Sequence, residues 1–202
     1  MNIQSLDQIR QILGTPNPIL KNKIYSALNP QMRTFIQASS LILIATVDRD
    51  GFPTISPKGD HAGFVQIDDH GDLLIPERKG NKLAFSLDNL LSNPKVAILF
   101  VVRDTHEVLR VHGTADIWQD EALNQQLAST TQPALLVTRV QVNHCYFHCG
   151  KALLRSQLFD HQTPSDALPI SFGQQLADQG ALATDEIAAF DAGVQQRYQT
   201  DL

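Results

Sequence analysis

Two hairpin-type turns constrain what this chain can fold into more than any other feature. Asp50-Gly51 and the cluster Asp69–Asp72 each lie between runs of apolar and β-branched residues, which is the pattern of a β-hairpin. Strands joined by such tight turns run antiparallel, because parallel strands need a long crossover connection. The stretch from Leu41 to Lys82 is therefore predicted to be an antiparallel meander.

Three further strands are predicted after the meander. Val96–Val102 is an uninterrupted apolar run, as expected of a central strand covered on both faces. Leu109–Ile117 alternates apolar with polar residues, as in a half-buried strand. Leu135–Phe147 is also strand-like, and Gln119–Ser129 between them has helical composition. This order favours a mainly β fold, a small closed or partly open antiparallel barrel, over a doubly wound sheet.

Helices are predicted at both ends of the chain. Residues 1–40 contain three short helical patterns that are separated by prolines, the second after Pro18 and the third after Pro30. The segment 150–202 is acidic, and its last part is predicted to form two amphipathic helices split near Gly180. The expected buried positions of these two helices are Leu176, Leu182, Ile187, Phe190 and Val194.

Length and composition limit the organisation and the class of partner. With 202 residues, of which 43% are hydrophobic, one core and a single domain over 1–202 are expected, with the barrel at 41–149. A net charge of −5 argues against nucleic acid as the main partner. No run approaches the ~20 apolar residues that cross a bilayer, and the first residues lack a signal-peptide pattern. We therefore expect no membrane association and a cytoplasmic location.

A basic loop follows the meander and is the first candidate site. Arg78, Lys79 and Lys82 lie within five residues, and Leu83, Ala84, Leu87, Leu90 and Leu91 then recur at helical spacing. The first turn of a helix offers free N–H groups and a positive dipole end, which suit a phosphate. Gly80 would allow close approach and Asn81 would cap the helix. The alternative is a solvated basic loop at the start of a surface helix.

A second pair of cations begins the C-terminal segment. Lys151 and Arg155 are spaced to share one face of a helix, where like charges repel unless an anion bridges them. A separate acidic partner for each cation is an equally good interpretation of the spacing.

A third motif combines histidines and cysteines. His144, Cys145, His148 and Cys149 are metal-ligand types, but on a strand residues four apart are about 13 Å apart, too far to share one ion. The pattern therefore favours no metal site, with buried thiols and histidines at a sheet rim. A nucleophilic cysteine near Lys151 is the other interpretation.

The runs ATVDRDGFPTISPKG, LLIPERKGNKLAFSLDNLLSNPKVAILFVV and LRVHGTADIW together resemble the pyridoxamine 5'-phosphate oxidase-like FMN-binding split barrels. YFHCGKALLRSQLF is similar to a segment of one bacterial branch of that superfamily, and the resemblance spans roughly residues 35 to 160. It implies a six-stranded antiparallel split β-barrel and a homodimer with FMN at the subunit interface.

The resemblance also implies roles for particular residues. Ser56, Pro57 and Lys58 would pass the flavin ring and ribityl chain, and backbone groups of Ile75 and Pro76 would meet the isoalloxazine. The phosphate would be held by Arg78, Lys79, Asn81 and Lys82. Lys151, Arg155 and Ser156 would reach the cofactor or a neighbouring substrate cavity, across the dimer or within the chain.

The function implied is an FMN-dependent oxidoreductase acting on a small molecule. The chain departs from the named oxidase because it ends in GVQQRYQTDL and lacks that enzyme's closing segment with arginine and tryptophan, so oxidation of vitamin B6 is not implied. The alternatives are a flavin carrier or sensor without turnover, or a barrel that binds haem or a deazaflavin. A haem would need an axial ligand, for which His112, His144 and His148 are the candidates.

Overall fold

The computed structural model describes residues 2–160 and 168–200. The helices of these ranges are α1 Leu6–Leu13, α2 Pro30–Ala38, α3 Phe85–Ser92, α4 Glu121–Gln126, α5 Lys151–Ser156, α6 Phe172–Asp178 and α7 Ile187–Thr200, with 3₁₀ turns at Pro18–Lys23 and Thr184–Glu186. The strands are β1 Leu41–Val47, β2 Pro53–Gly59, β3 Gln66–Ile67, β4 Leu73–Glu77, β5 Lys95–Val101, β6 Val108–Trp118 and β7 Leu136–His148.

All the strands form one antiparallel sheet with the order β2-β1-β5-β6-β7-β4-β3. Both predicted hairpins are present. Asp48 accepts hydrogen bonds from Asp50 and Phe52 in the first turn, and Asp68 does the same for His70 and Asp72 in the second. The mainly β class is confirmed, but the described part of the chain has seven strands instead of six. The extra strand is β3, whose two residues are too few to give a periodic pattern.

The core lies on one face of the curled sheet. Alternate residues of β1, β5 and β6 are buried on that face, including Ile42, Ile98, Phe100 and Val111. The prediction that β5 is covered on both faces is wrong for the single chain, because its other residues are only partly shielded. β5 lies inside the sheet, between β1 and β6, while β6 occupies the middle position.

The sheet curls until its two ends face each other. β2 is an edge strand and β4 is the sixth of seven in the order, yet Lys58 of β2 and Glu77 of β4 form an ion pair with 2.5 Å between Nζ and Oε2. This contact brings the two sides of the open seam together. The result is the split barrel that was predicted.

The N-terminal segment contributes one helix to the core. Asn29 caps α2 by accepting the Met32 N–H, and Met32 and Ile36 are then almost completely buried. The second predicted helix is instead the 3₁₀ turn Pro18–Lys23. α1 has no buried residue.

The C-terminal helices pack mainly on each other. Gly173 of α6 lies so close to α7 that a Cβ there would be 2.7 Å from the Ile187 carbonyl oxygen. The two helices are confirmed, but the predicted burial of their apolar residues is wrong, because Leu176, Leu182, Ile187, Phe190 and Val194 are all partly exposed. Each helix is shielded on one side only. None of the helices in the described ranges is both long enough and apolar enough to span a bilayer.

Candidate functional site

A cavity of about 650 Å³ opens at the seam between β2, β4 and the start of α3. Its walls come from residues 56–59, Phe64, the segment 76–87, Leu135 and Leu136. The candidate residues that line it are Ser56, Pro57, Lys58, Pro76, Arg78, Lys79, Asn81 and Lys82. Ile75 is the one residue of the segments 56–58 and 75–82 named as candidates that does not line the cavity, because its side chain is completely buried in the core. A contact between its backbone and a ligand remains a prediction.

The alternation of β2 points its functional side chains inward. Thr54, Ser56 and Lys58 are partly buried while the residues between them are exposed, and proline is tolerated at position 57 because β2 is an edge strand. Lys58 reaches Glu77, which also accepts the Thr138 hydroxyl hydrogen bond at 2.9 Å. The buried Glu77 carboxylate is therefore neutralised and hydrogen-bonded, as a buried charge must be.

Arg78 is held by a second carboxylate. Its Nε donates to Asp60 Oδ2 at 2.8 Å, and the other oxygen of Asp60 accepts from the backbone and ring nitrogens of His61. Burial raises the pKa of Asp60, but the hydrogen bonds from His61 and Arg78 outweigh it and hold that pKa below its ordinary value. Asp60 is therefore ionised and fixes the guanidinium at the cavity.

One atom of Arg78 is left without a partner. Among the described residues, Arg78 Nη1 and Asn124 Oδ1 are the buried side-chain polar atoms that make no hydrogen bond. An unsatisfied buried donor is costly, and native proteins place such donors where a ligand or water completes them. Arg78 Nη1 thus marks a position for an acceptor within the cavity wall.

The basic loop ends in a backbone conformation that sequence analysis did not anticipate. Lys82 and Ala84 have φ of 63° and 54°, the left-handed region that residues other than glycine seldom adopt. α3 consequently starts at Phe85, with Ala84 at its cap position. The prediction that Asn81 caps the helix is wrong. Its side-chain oxygen instead accepts the Leu83 N–H within the loop. Strained backbone of this kind concentrates at ligand sites.

α3 is fixed to the first hairpin by a buried polar contact. Asn89 Nδ2 donates to the hydroxyl oxygens of Thr46 and Thr54, each at 2.9 Å, and these two hydroxyls bond each other. Because the basic loop leads directly into α3, this contact sets where the loop can lie.

The second basic pair does not reach this cavity. Glu77 pairs with Leu136 at the start of β7 and Val108 pairs with His148 at its end, so α5 follows the far end of a strand up to about 40 Å long. Lys151 and Arg155 are both exposed. Ser156 uses its hydroxyl within α5, donating to the Leu153 carbonyl. Within one chain, these three residues are separated from the basic loop.

The histidine and cysteine motif lies at the end of β7, with His144, Cys145 and His148 on the strand and Cys149 directly after it. His112 and His144 are cross-strand neighbours with ring centroids 4.4 Å apart. Burial, followed by the charges of His144 and Arg110, lowers the pKa of His112. Cys145 is buried and its pKa is raised by burial, whereas Cys149 is exposed, so the expectation of two buried thiols is wrong for Cys149. The described ranges contain no cluster of three or more metal-ligand side chains.

Two acidic residues and one amide of the site were not predicted from the sequence. Asp60 and Glu77 hold Arg78 and Lys58 in place, and Asn89 holds α3. None of the three belongs to a motif. Glu77 gave one usable signal, since it is the only acidic residue inside the strand that precedes the basic loop. Asp60 gave no such signal, because Arg78, whose guanidinium it binds, is 18 residues away in sequence.

The donors around the cavity suit a phosphate ester linked to a flat, partly apolar group. Arg78, Lys79 and Lys82 lie along one wall, and Lys82 makes no ion pair with any residue that the structure describes. Ser56, Pro57, Phe64 and Pro76 add uncharged and partly apolar surface to the same cavity. FMN has this division between a charged end and a planar ring, so the residues present fit it.

Comparison with known proteins agrees with this geometry. The family model for pyridoxamine 5'-phosphate oxidase matches residues 28–149, which is more than half of the chain. The chain therefore belongs to the pyridoxamine 5'-phosphate oxidase family. The matched region contains the strands that form the cavity and the basic loop, but ends before α5.

Solved structures of similar proteins include HupZ of Group A Streptococcus, at 24% identity over 59% of this chain and 98% of that chain, with a TM-score of 0.49. A putative pyridoxamine 5'-phosphate oxidase from Lactobacillus delbrueckii is 25% identical over 60% and 95%, with a TM-score of 0.47. An F420 reductase is 22% identical over 60% and 98%, with a TM-score of 0.44. The search of curated proteins found no match.

Proposed function

We propose that the protein is an FMN-dependent oxidoreductase that acts on a small-molecule substrate. The observation that carries the proposal is the buried Arg78 Nη1 without a partner, in the wall of a 650 Å³ cavity that also contains Lys79 and Lys82. Family membership supports the same conclusion. A nucleic acid partner and membrane attachment are not part of the proposal.

In this proposal each wall of the cavity has its own role. Arg78, Lys79, Asn81 and Lys82 bind the FMN phosphate, and Asp60 orients the Arg78 guanidinium. Residues 56–58 and 75–76 flank the ribityl chain and the ring. When bound, FMN supplies hydride and electron transfer at its isoalloxazine. The residues of this chain position it and shield it from water.

We further propose that the working form is a homodimer. Ile55 is 68% exposed, its cross-strand partner Ala45 is only partly shielded, and so is Ala97, the partner of Ala45 on the next strand. These residues form an apolar row on the outer face of the sheet. A second copy on this row would cover the face of β5 that the single chain leaves open, and contiguous apolar surface of this kind is typical of subunit contacts.

Replacing Lys82 tests the phosphate site. Lys82→Ala removes one charge-assisted contact, worth about 1.5–3 kcal/mol, so the Kd for FMN should rise roughly 10- to 150-fold. FMN fluorescence quenching measures this Kd. Lys95→Ala is the matched control, because Lys95 is an exposed lysine outside the cavity.

An unchanged Kd in Lys82→Ala would mean that the phosphate binds elsewhere. The absorbance spectrum of the purified protein tests the cofactor itself. A flavin spectrum with release of FMN supports the proposal, whereas a haem Soret band, or failure to bind added FMN, contradicts it.

A further inference from the structure

A second cavity lies on the other side of the basic loop. It has a volume of about 770 Å³ and is enclosed by residues 79–81 on one side and by α6 and α7 on the other. Lys79, Gly80 and Asn81 line both cavities, so the loop is a shared wall. This cavity uses the C-terminal helices, which lie outside the region that the family model matches.

Each helix presents one continuous face to the second cavity. Phe190, Val194 and Tyr198 recur at intervals of four on α7, and Phe172 and Leu176 are four apart on α6. Such spacing places side chains in a row on one side of a helix. Three aromatic rings, those of Phe172, Phe190 and Tyr198, therefore lie around a single space.

Polar groups are distributed around the rings. The lining contains three carboxamides, those of Asn81, Gln175 and Gln179, and the cations of Lys79 and Arg197. None of the described lining residues is acidic, although this segment is rich in acids. The cavity is therefore positive within an acidic part of the molecule.

Three acidic residues near the second cavity make hydrogen bonds elsewhere in the C-terminal segment. Asp191 accepts hydrogen bonds from the Ser171 hydroxyl and the Gly173 backbone, and these bonds lower the pKa of Asp191. Glu186 accepts the Ala183 N–H, and Asp178 accepts from Gln174. These contacts hold three carboxylates in capping and surface roles. Arg197 makes no ion pair within the part of the chain that the structure describes.

We infer that this second cavity binds an adenine nucleotide. An aromatic base stacks on aromatic side chains, carboxamides can both donate to and accept from the edge of adenine, and an arginine suits a phosphate. An apolar occupant would account for the rings but not for the carboxamides of Gln175 and Gln179 or for the Arg197 guanidinium.

The nucleotide could come from either of two sources. It could be the adenylate half of FAD, with the flavin in the first cavity and the chain of phosphates crossing the loop 79–81. It could also be a free adenine nucleotide, such as part of an electron donor. Only the first source rests on the proposed function, since the second requires no flavin.

Binding experiments on the full-length protein separate the two sources. The Kd values for FMN and FAD would be measured by flavin fluorescence, and the Kd for AMP and ADP by calorimetry on the flavin-free and the FMN-loaded protein. Two variants alter the second cavity, Phe190→Ala and Arg197→Gln. Phe52→Ala and Arg103→Gln are matched controls, because both residues are exposed and lie outside the two cavities.

We expect AMP or ADP to bind the FMN-loaded protein, and both cavity variants to weaken this binding at least tenfold while the controls leave it unchanged. FMN and FAD should then bind with equal affinity. An FAD affinity at least tenfold above that for FMN, lost in both cavity variants but retained in the controls, would identify the adenylate half of FAD as the occupant and would replace FMN by FAD in the proposed function. Arg197→Gln changes an exposed side chain, so it remains informative if Phe190→Ala does not fold.

Several results would overturn the inference. The first is a protein that binds FMN and FAD with equal affinity and binds neither AMP nor ADP. The second is a higher affinity for FAD than for FMN that persists in both cavity variants. A cavity variant that lowers the oligomeric state in sedimentation, without any effect on nucleotide binding, would identify the cavity as a contact between copies instead. Failure to bind any flavin would refute the proposed function alone, because AMP binding to the flavin-free protein would still be measurable.

Discussion

Asp60 connects the end of β2 to the basic loop through the Arg78 guanidinium and also holds the neighbouring His61. Its pKa in the folded protein lies below the ordinary value of 3.8. A carboxyl group with a depressed folded pKa stabilises the native state above its unfolded pKa, and this contribution is lost as the pH falls through the folded pKa. Asp60 should therefore stabilise the protein fully at neutral pH, and its contribution should decline progressively as the pH falls below about 4.

We expect Asp60→Asn to lower the free energy of unfolding at pH 7 by about 1.5 kcal/mol, because it removes a charge-assisted contact. At pH 3 the difference from the wild type should be smaller. Urea unfolding of the variant and the wild type at both pH values measures this difference in the free energy of unfolding. Asp116→Asn, at an exposed position on β6, is the control. A difference that stays constant from pH 7 to pH 3 would show that Asp60 acts through packing and not through its charge.

At the scale of single elements, α3 depends on Asn89 for its position. Asn89→Ala leaves a gap at a residue that is only 5% exposed and removes two hydrogen bonds to threonine oxygens. We expect the free energy of unfolding to fall by about 2 kcal/mol, and FMN binding to weaken as well, since the basic loop leads into α3.

Urea unfolding and FMN titration measure both effects. Ser92→Ala is the control on the same helix, because the Ser92 hydroxyl bonds only the Asp88 carbonyl at the surface. If Asn89→Ala lost stability without any loss of FMN affinity, α3 would have no role in positioning the loop.

The strands could be predicted from the sequence, whereas the first and last residues of the helices could be predicted less well. In β6, alternation from Leu109 to Ile117 reports burial directly, because successive strand residues point to opposite faces. The start of α3 could not be predicted, because Lys82 and Ala84 adopt a left-handed backbone that residues other than glycine seldom adopt. The periodicity of α7 predicted buried positions that are in fact partly exposed, because a period contains no information about what a helix face contacts.

The basic wall of the candidate site could be predicted because its cations are close in sequence. Asp60 and Glu77 could not, since each meets its cation only after β2 and β4 come together. The position of α5 could not be predicted either, because the distance between α5 and the basic loop follows from the register and length of β7. That all twelve candidate residues serve the cofactor, and that 1–202 is one domain, remain predictions.

At the scale of the whole molecule, the proposed dimer can be tested at the outer face of the sheet. Ile55→Asp places a charge in the apolar row formed with Ala45 and Ala97. We expect sedimentation to give a species near 22.4 kDa where the wild type gives twice that mass, together with weaker FMN binding. Leu168→Asp is the control, as Leu168 is 82% exposed and distant in sequence from the sheet. A dimer that survives Ile55→Asp would place the interface on another face.

The length of β7 has a genetic consequence. If α5 of one copy completes the FMN site of the other, a twofold dimer has two composite sites, and each contains the loop of one chain and the helix of its partner. Co-expressing Lys82→Ala with Arg155→Ala would then concentrate both defects in one site of each mixed dimer and leave the other intact. Two alleles that fail separately should complement each other, with flavin bound at about half a molecule per chain in the purified heterodimer. If the heterodimer binds no more flavin than the two single variants, α5 contacts the cofactor of neither copy.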